Sequence, residues 1–141
     1  MSTESQPPGS HPPSAHEPHL KRKRILIVDD EEGLRLLCAT YLQRRGYAVE
    51  TCADGAAAWA RLTSTGEACD LLMTDSVMPL LDGAELVERV RAAKLPIRIL
   101  SISGSQALKR HPASPTSVDG VLPKPFTIQE LGAAVRSQLE G

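Results

Sequence analysis

The first apolar cluster in the chain is Ile25-Leu26-Ile27-Val28, which has no polar interruption. A short continuous run of this kind predicts a strand covered on both faces, as in parallel sheets. Leu34, Leu37, Cys38, Tyr41 and Leu42 then recur at helical spacing and stop at Gly46, which predicts a helix closed by a glycine cap. Tyr47 to Cys52 reads as a second strand, and the alanine-rich stretch from Ala56 to Leu62 as a helix closing near Gly66. Leu71-Leu72-Met73 predicts a third, buried strand. Leu86, Val87 and Val90 mark a helix begun near Asp82, with Glu85 in the place of a capping-box partner. Ile97 to Ile102 predicts a fourth strand and Val118 to Leu122 a short fifth. Thr127-Ile128-Gln129-Glu130 has the T-x-x-E form that opens a helix, turning Leu131, Val135 and Leu139 inward.

Strands that alternate with helices predict an α/β, doubly wound, five-stranded parallel sheet with helices on both faces and right-handed crossovers. The alternation weakens from Ser105 to Ser117, where Pro112 and Pro115 interrupt any helical pattern. A shortened or irregular helix is expected there.

Composition narrows the function classes. Residues 1–23 are rich in Pro, Ser and His and have almost nothing to bury, which predicts a disordered tail. The folded domain is expected over 24–141. The basic run Lys21-Arg22-Lys23-Arg24 gives residues 1–24 a net charge of +2 and leaves −3 on the remainder. Four cations support only weak, salt-sensitive contact with nucleic acid, so no specific nucleic-acid partner is expected. Aromatic residues make up 3% of the chain, too few for a base-stacking platform. No apolar run approaches the ~20 residues of a membrane span, and the N-terminus lacks the apolar core of a secretory signal. A cytoplasmic location is expected. Cys38, Cys52 and Cys69 form no C-x-x-C pair and read as small core residues. Three of the four histidines lie in the tail, leaving only His111 beyond it; this disfavours histidine-based zinc sites and Ser-His-Asp triads.

In an open α/β sheet, ligands bind beyond the C-terminal ends of the strands. The polar residues at those ends are Asp29 and Asp30 after the first strand, Asp75 after the third, Ser103-Gly104 after the fourth and Lys124-Pro125 after the fifth. Each alone has an ordinary reading as a helix cap, a loop acid, a turn or a surface lysine. All of them at one edge of one sheet are hard to explain as caps. Three crowded carboxylates repel one another, and a hard divalent cation with oxygen ligands relieves that repulsion, which suits Mg²⁺. A lysine and a serine hydroxyl beside them suit the oxygens of a phosphoryl group.

These residues also fall into ordered motifs: Ile25-Leu26-Ile27-Val28-Asp29-Asp30-Glu31, Asp75-Ser76-Val77-Met78-Pro79-Leu80-Leu81-Asp82-Gly83, Ile102-Ser103-Gly104 and Pro123-Lys124-Pro125-Phe126. With them the chain, over about residues 24–140, resembles the receiver domain of two-component response regulators. The resemblance implies a flavodoxin-like strand order of 2-1-3-4-5. It implies Asp75 as the phosphoacceptor and a Mg²⁺ ion, with Mn²⁺ as a substitute, held by Asp29, Asp30, Asp75 and the backbone carbonyl of Val77. It implies Lys124 as the phosphoryl contact and Ser103 as the switch hydroxyl, with Ser101 as a rival for that role. The implied phosphodonor is a histidine kinase or a histidine phosphotransfer protein, and the implied output is contact with a downstream protein or onward phosphorelay. Such a chain is not an enzyme but a phosphoacceptor signalling protein capable of slow self-dephosphorylation.

Two features depart from the family pattern. Receivers often carry a switching aromatic in the fifth strand, where this chain has Val121. The proline-containing stretch 105–117 replaces a regular helix that often belongs to the output face, which favours a first-helix or loop contact for signalling. The chain ends just after its last helix, as a stand-alone receiver would. A phosphate-independent pseudo-receiver acting as an interaction module is the alternative. A Mg²⁺-dependent phosphatase is a third reading, disfavoured because no D-x-D motif, P-loop or G-x-G-x-x-G follows a strand.

Overall fold

Strand β1 (Arg24–Val28) contains the continuous apolar run Ile25–Val28 and pairs with a strand on each side. The computed structural model describes residues 22–64, 66, 68–75, 83–103 and 118–140. In chain order the elements are β1, α1 (Glu32–Arg44), β2 (Ala48–Cys52), α2 (Gly55–Leu62), β3 (Leu71–Asp75), α3 (Gly83–Ala92), β4 (Arg98–Ser103), β5 (Gly120–Pro123) and α4 (Ile128–Glu140). The strands form one parallel sheet in the order β2-β1-β3-β4-β5, as expected. The tail to residue 21 and the irregular region 105–117 lie outside the described residues.

The strand pattern explains the layers. Alternate residues of β1 face opposite sides. Ile25 and Ile27 pack with Cys38, Leu42, Leu131 and Val135 beneath α1 and α4. Leu26 and Val28 pack with Ala58, Leu86, Val87 and Val90 beneath α2 and α3. The two cores share the sheet and leave the strand ends as its polar rim. α1 approaches α4 closely at Gly132, where an added Cβ would lie 2.7 Å from the Tyr41 hydroxyl.

Element ends differ from the sequence pattern where local hydrogen bonds take a residue. Gly46 has a φ of 102°, and Tyr47 donates its N–H to the Leu42 carbonyl, so Tyr47 closes α1 rather than opening β2. Asp54 caps α2 by accepting from the Ala57 N–H at 2.8 Å, so the helix starts at Gly55, one residue before the alanine-rich pattern. Thr127 and Glu130 exchange side-chain and backbone hydrogen bonds at 2.8 and 3.0 Å, the capping box read from the sequence. The Asp82 end of α3 lies outside the described residues. Leu37 is a correction. It was expected on the inward face of α1 but is 57% exposed, with Leu36 at 51%. The buried arc of α1 centres on Cys38, Ala39 and Leu42, which swings Leu37 to solvent.

Asp119 sets the start of β5. Its carboxylate accepts from the Ile99 N–H at 2.7 Å and from Arg91 at 2.9 Å, tying β5 to β4 and α3. Burial would raise its pKa, but those donors outweigh burial and hold it below the usual carboxylate value. A depressed folded-state pKa contributes stability above the unfolded value of ~3.9, lost as pH falls through the folded value. Asp119→Asn is therefore expected to cost about 1 kcal/mol at pH 7. The difference from the unsubstituted chain shrinks toward pH 3, as urea denaturation at the two pH values would show.

Candidate functional site

β1 and β3 sit side by side at the centre of the sheet, and both end in acids. Their register pairs Val28 with Thr74, so Asp29 and Asp75 each follow a paired residue at the same edge. The apolar runs fix this geometry, because a slip by one residue would turn every buried side chain to the wrong face. β3 runs two residues beyond the apolar Leu71-Leu72-Met73, and Asp75 itself is its last residue, in register with Ile102 of β4. Asp75 is therefore held by the sheet rather than by a loop.

Carboxylate oxygens of Asp29, Asp30 and Asp75 lie within 4.8 Å of one another; Asp29 and Asp75 are buried and Asp30 is exposed. Asp29 is 2% exposed. Its Oδ1 accepts from the Glu31 N–H at 2.8 Å. Burial raises the Asp29 pKa, and the Glu31 N–H and Lys124 only partly offset it; Asp75 and Asp30 push it up further. Lys124 follows β5 and reaches both buried acids, with Nζ 3.2 Å from Asp75 Oδ2 and 3.8 Å from Asp29 Oδ2. Burial would lower the lysine pKa, but the charges of Asp29 and Asp75 outweigh it and raise the value. The Lys124 N–H also donates to the Ser103 carbonyl at 2.9 Å, which brings the lysine and serine to one point of the rim.

Ser103 is 3% exposed, and its Oγ has no hydrogen-bond partner among the described residues. A buried hydroxyl without a partner costs roughly 1–3 kcal/mol and calls for an explanation at this position. Ser101, its rival from the sequence, lies inside the strand opposite Thr74 and Val121. Val121 is exposed on β5. Val77 lies outside the described residues. Sequence inspection missed Arg35, half-buried on α1, which donates from Nη1 to the Asp29 carbonyl at 2.7 Å. The signal was present as the residue one turn beyond Glu31, but a basic residue on a helix is seldom informative by itself.

The donor set fits a hard divalent cation: carboxylate oxygens only, two of them buried, crowded and partly relieved by one ammonium. Among the described residues no helix is long and apolar enough to cross a membrane.

This arrangement, on a parallel sheet of order 2-1-3-4-5, defines a doubly wound fold with an acidic pocket at the strand ends. The family model for the response regulator receiver domain matches residues 25–136. The chain belongs to the response regulator receiver family. It is 36% identical over 118 residues to the response regulator receiver protein CpdR of Brucella abortus, covering 83% of this chain and 97% of that protein. It is 33% identical over 118 residues to the sensor kinase CckA of the same organism, of which it spans 12%, against 82% of its own length. It spans 50% of the response regulator MprA of Mycobacterium avium. Among solved structures, a CheY-like receiver domain protein from Methanospirillum hungatei superposes with a TM-score of 0.77 at 26% identity, covering 85% of this chain and 95% of that one. The response regulator TrrA of Thermotoga maritima, solved in complex with Mg²⁺-BeF, gives 0.70 at 32% identity, covering 83% of this chain and 99% of that one.

Proposed function

We propose that Asp75 accepts a phosphoryl group from a phosphohistidine of a cytoplasmic histidine kinase or phosphotransfer protein. The observation that carries this reading is the buried Asp75 carboxylate held by Lys124, near a buried Ser103 hydroxyl with no partner among the described residues. A carboxylate oxygen of Asp75 attacks phosphorus in line. The P–N bond breaks, its electron pair leaves with the imidazole nitrogen, and that nitrogen takes a proton from solvent. An acyl phosphate forms on Asp75. Lys124 neutralises charge on the transferring oxygens, and preorganised charge of this sort is a large part of catalysis in phosphoryl transfer. Ser103 donates a hydrogen bond from its hydroxyl to a phosphoryl oxygen, a partner it lacks among the described residues. Asp29, Asp30, Asp75 and the Val77 carbonyl would hold Mg²⁺ or Mn²⁺, and such an ion supplies further charge neutralisation when bound. TrrA, 32% identical, is known in complex with Mg²⁺-BeF, which supports this ligand class. The new group adds about −1.5 to −2 charges and three acceptors, enough to bias neighbouring loops toward a different arrangement. Downstream contact or onward phosphorelay would read that change.

Intact-protein mass after incubation with acetyl phosphate and Mg²⁺ tests the reading. A single added phosphoryl group, absent without metal, is expected. A folded, Mg²⁺-binding chain that takes no phosphoryl group would instead be a phosphate-independent interaction module.

The exposed Leu36 and Leu37, in the second turn of the helix that follows Asp29 and Asp30, offer the phosphodonor an apolar seat. Burying a leucine side chain contributes about 1.5–3 kcal/mol, and each 1.4 kcal/mol is tenfold in affinity. The double substitution Leu36→Asp, Leu37→Asp is expected to slow phosphotransfer from a partner kinase at least tenfold. Labelling by acetyl phosphate, which needs no protein docking, should be unchanged.

A further inference from the structure

We propose that Arg35 is a positioning residue that sets the backbone of the Asp29–Asp30 pair and thereby the site's affinity for a divalent cation. The inference rests on the proposed phosphoacceptor site and concerns how its acids are aimed.

The turn from β1 into α1 carries both acids but lacks the usual closure. Glu31 occupies the N-cap position with extended backbone and makes no side-chain cap hydrogen bond. An uncapped helix start leaves its first N–H groups and the preceding turn loosely determined. Other bonds take over. The Asp29 N–H continues the ladder by donating to the Cys52 carbonyl at 3.2 Å. Asp29 Oδ1 accepts from the Glu31 N–H at 2.8 Å. The Asp29 carbonyl accepts from Arg35 Nη1 at 2.7 Å. The Arg35 N–H donates to the Glu31 carbonyl at 3.0 Å, the first backbone bond of the helix, which fixes where this side chain starts.

Asp30 lies between these ties. It is exposed, yet its carboxylate falls within 4.8 Å of those of Asp29 and Asp75. A surface acid surrounded by like charge would otherwise turn outward to water. Its direction is set by the peptide that joins it to Asp29, and that peptide's oxygen is the atom Arg35 holds. The guanidinium meets Asp29 at the carbonyl, so it steadies the turn without taking a carboxylate oxygen from an incoming cation. A planar fork suits this task better than a flexible ammonium. Residues that orient metal ligands in this indirect way typically change metal affinity by 10–100-fold when removed.

The test is calorimetric titration of the full, unphosphorylated chain with Mg²⁺ and no phosphodonor, comparing the unsubstituted protein with Arg35→Ala, Arg35→Lys and Asp30→Asn. Arg35→Ala is expected to weaken Mg²⁺ at least tenfold, toward Asp30→Asn, with Arg35→Lys recovering part of the loss. Thermal midpoints in EDTA should be near-equal, which separates aiming from a general structural role. Acetyl phosphate labelling of Arg35→Ala should reach the unsubstituted plateau at saturating Mg²⁺, with the half-saturating concentration raised by the factor seen in calorimetry. An Arg35→Ala affinity within twofold of the unsubstituted chain overturns the inference alone. A loss that Arg35→Lys does not recover, matched by a lowered EDTA midpoint, also overturns it. An unsubstituted chain that binds no Mg²⁺ overturns the site reading as well.

Discussion

Asp75→Asn is expected to abolish the phosphoryl adduct: intact mass after acetyl phosphate and Mg²⁺ should equal that of the untreated chain. The loss is expected to be complete, because an amide nitrogen or oxygen is too weak a nucleophile to attack phosphorus at neutral pH. The two neighbouring acids do not replace it. Asp29 is more deeply buried than Asp75, its Oδ1 is bonded to the Glu31 N–H and its pKa is raised by burial. Asp30 is exposed and follows β1, outside the strand ladder that holds Asp75 opposite Ile102. The substitution is nearly isosteric and removes one negative charge from a crowded cluster, so the fold should persist. Melting in EDTA separates loss of the acceptor from loss of structure. A full adduct on Asp75→Asn would place the acceptor on Asp29 or Asp30 and refute the assignment.

The fold was legible because its strongest signals were continuous apolar runs separated by stretches of helical spacing. Ile25 to Val28 and Leu71 to Met73 could be little else than buried strands, and their sequence spacing allowed a helix between each pair. Boundaries were less legible wherever a single hydrogen bond decided them. Tyr47 looks like a strand residue until its N–H is seen closing the helix through Leu42. Asp54 caps a helix whose apolar pattern starts later. Leu37 looked inward because any leucine within a helical stripe does; the width of the buried arc on α1 depends on how the sheet and α4 meet it. The candidate site residues drew notice by their place after apolar strands, and the structure brings Asp29, Asp30, Asp75 and Lys124 together. What the sequence could not give was state: that Ser103 Oγ has no partner among the described residues, that Lys124 spans two acids, and that a side chain one helical turn away grips the Asp29 carbonyl. Those are relations between distant residues, set by register and side-chain reach.

Lys124→Ala is expected to move two observables in opposite directions, and the pair identifies the lysine's role. Its ammonium lies 3.2 Å from Asp75 and 3.8 Å from Asp29, where it partly neutralises the cluster. Without it the acids repel one another unopposed, and Asp29, already raised by burial and by its neighbours, rises further. The metal-free chain should lose about 1–2 kcal/mol at neutral pH, the range of a charge-assisted hydrogen bond reduced for partial exposure. A site relieved of a competing positive charge should bind Mg²⁺ severalfold more tightly, so Mg²⁺ should stabilise the variant more than the unsubstituted chain. Phosphorylation should nevertheless slow by about 10²–10³, the usual cost of removing one preorganised charge from a developing anion. Tighter metal with slower transfer cannot come from a collapsed site, which would lose both. It requires that the same cation compete with metal in the resting chain and stabilise the phosphoryl oxygens during transfer. Calorimetry and the acetyl phosphate labelling rate at saturating Mg²⁺ measure the two terms separately. An unchanged labelling rate would leave Lys124 a structural counter-charge with no part in the chemistry.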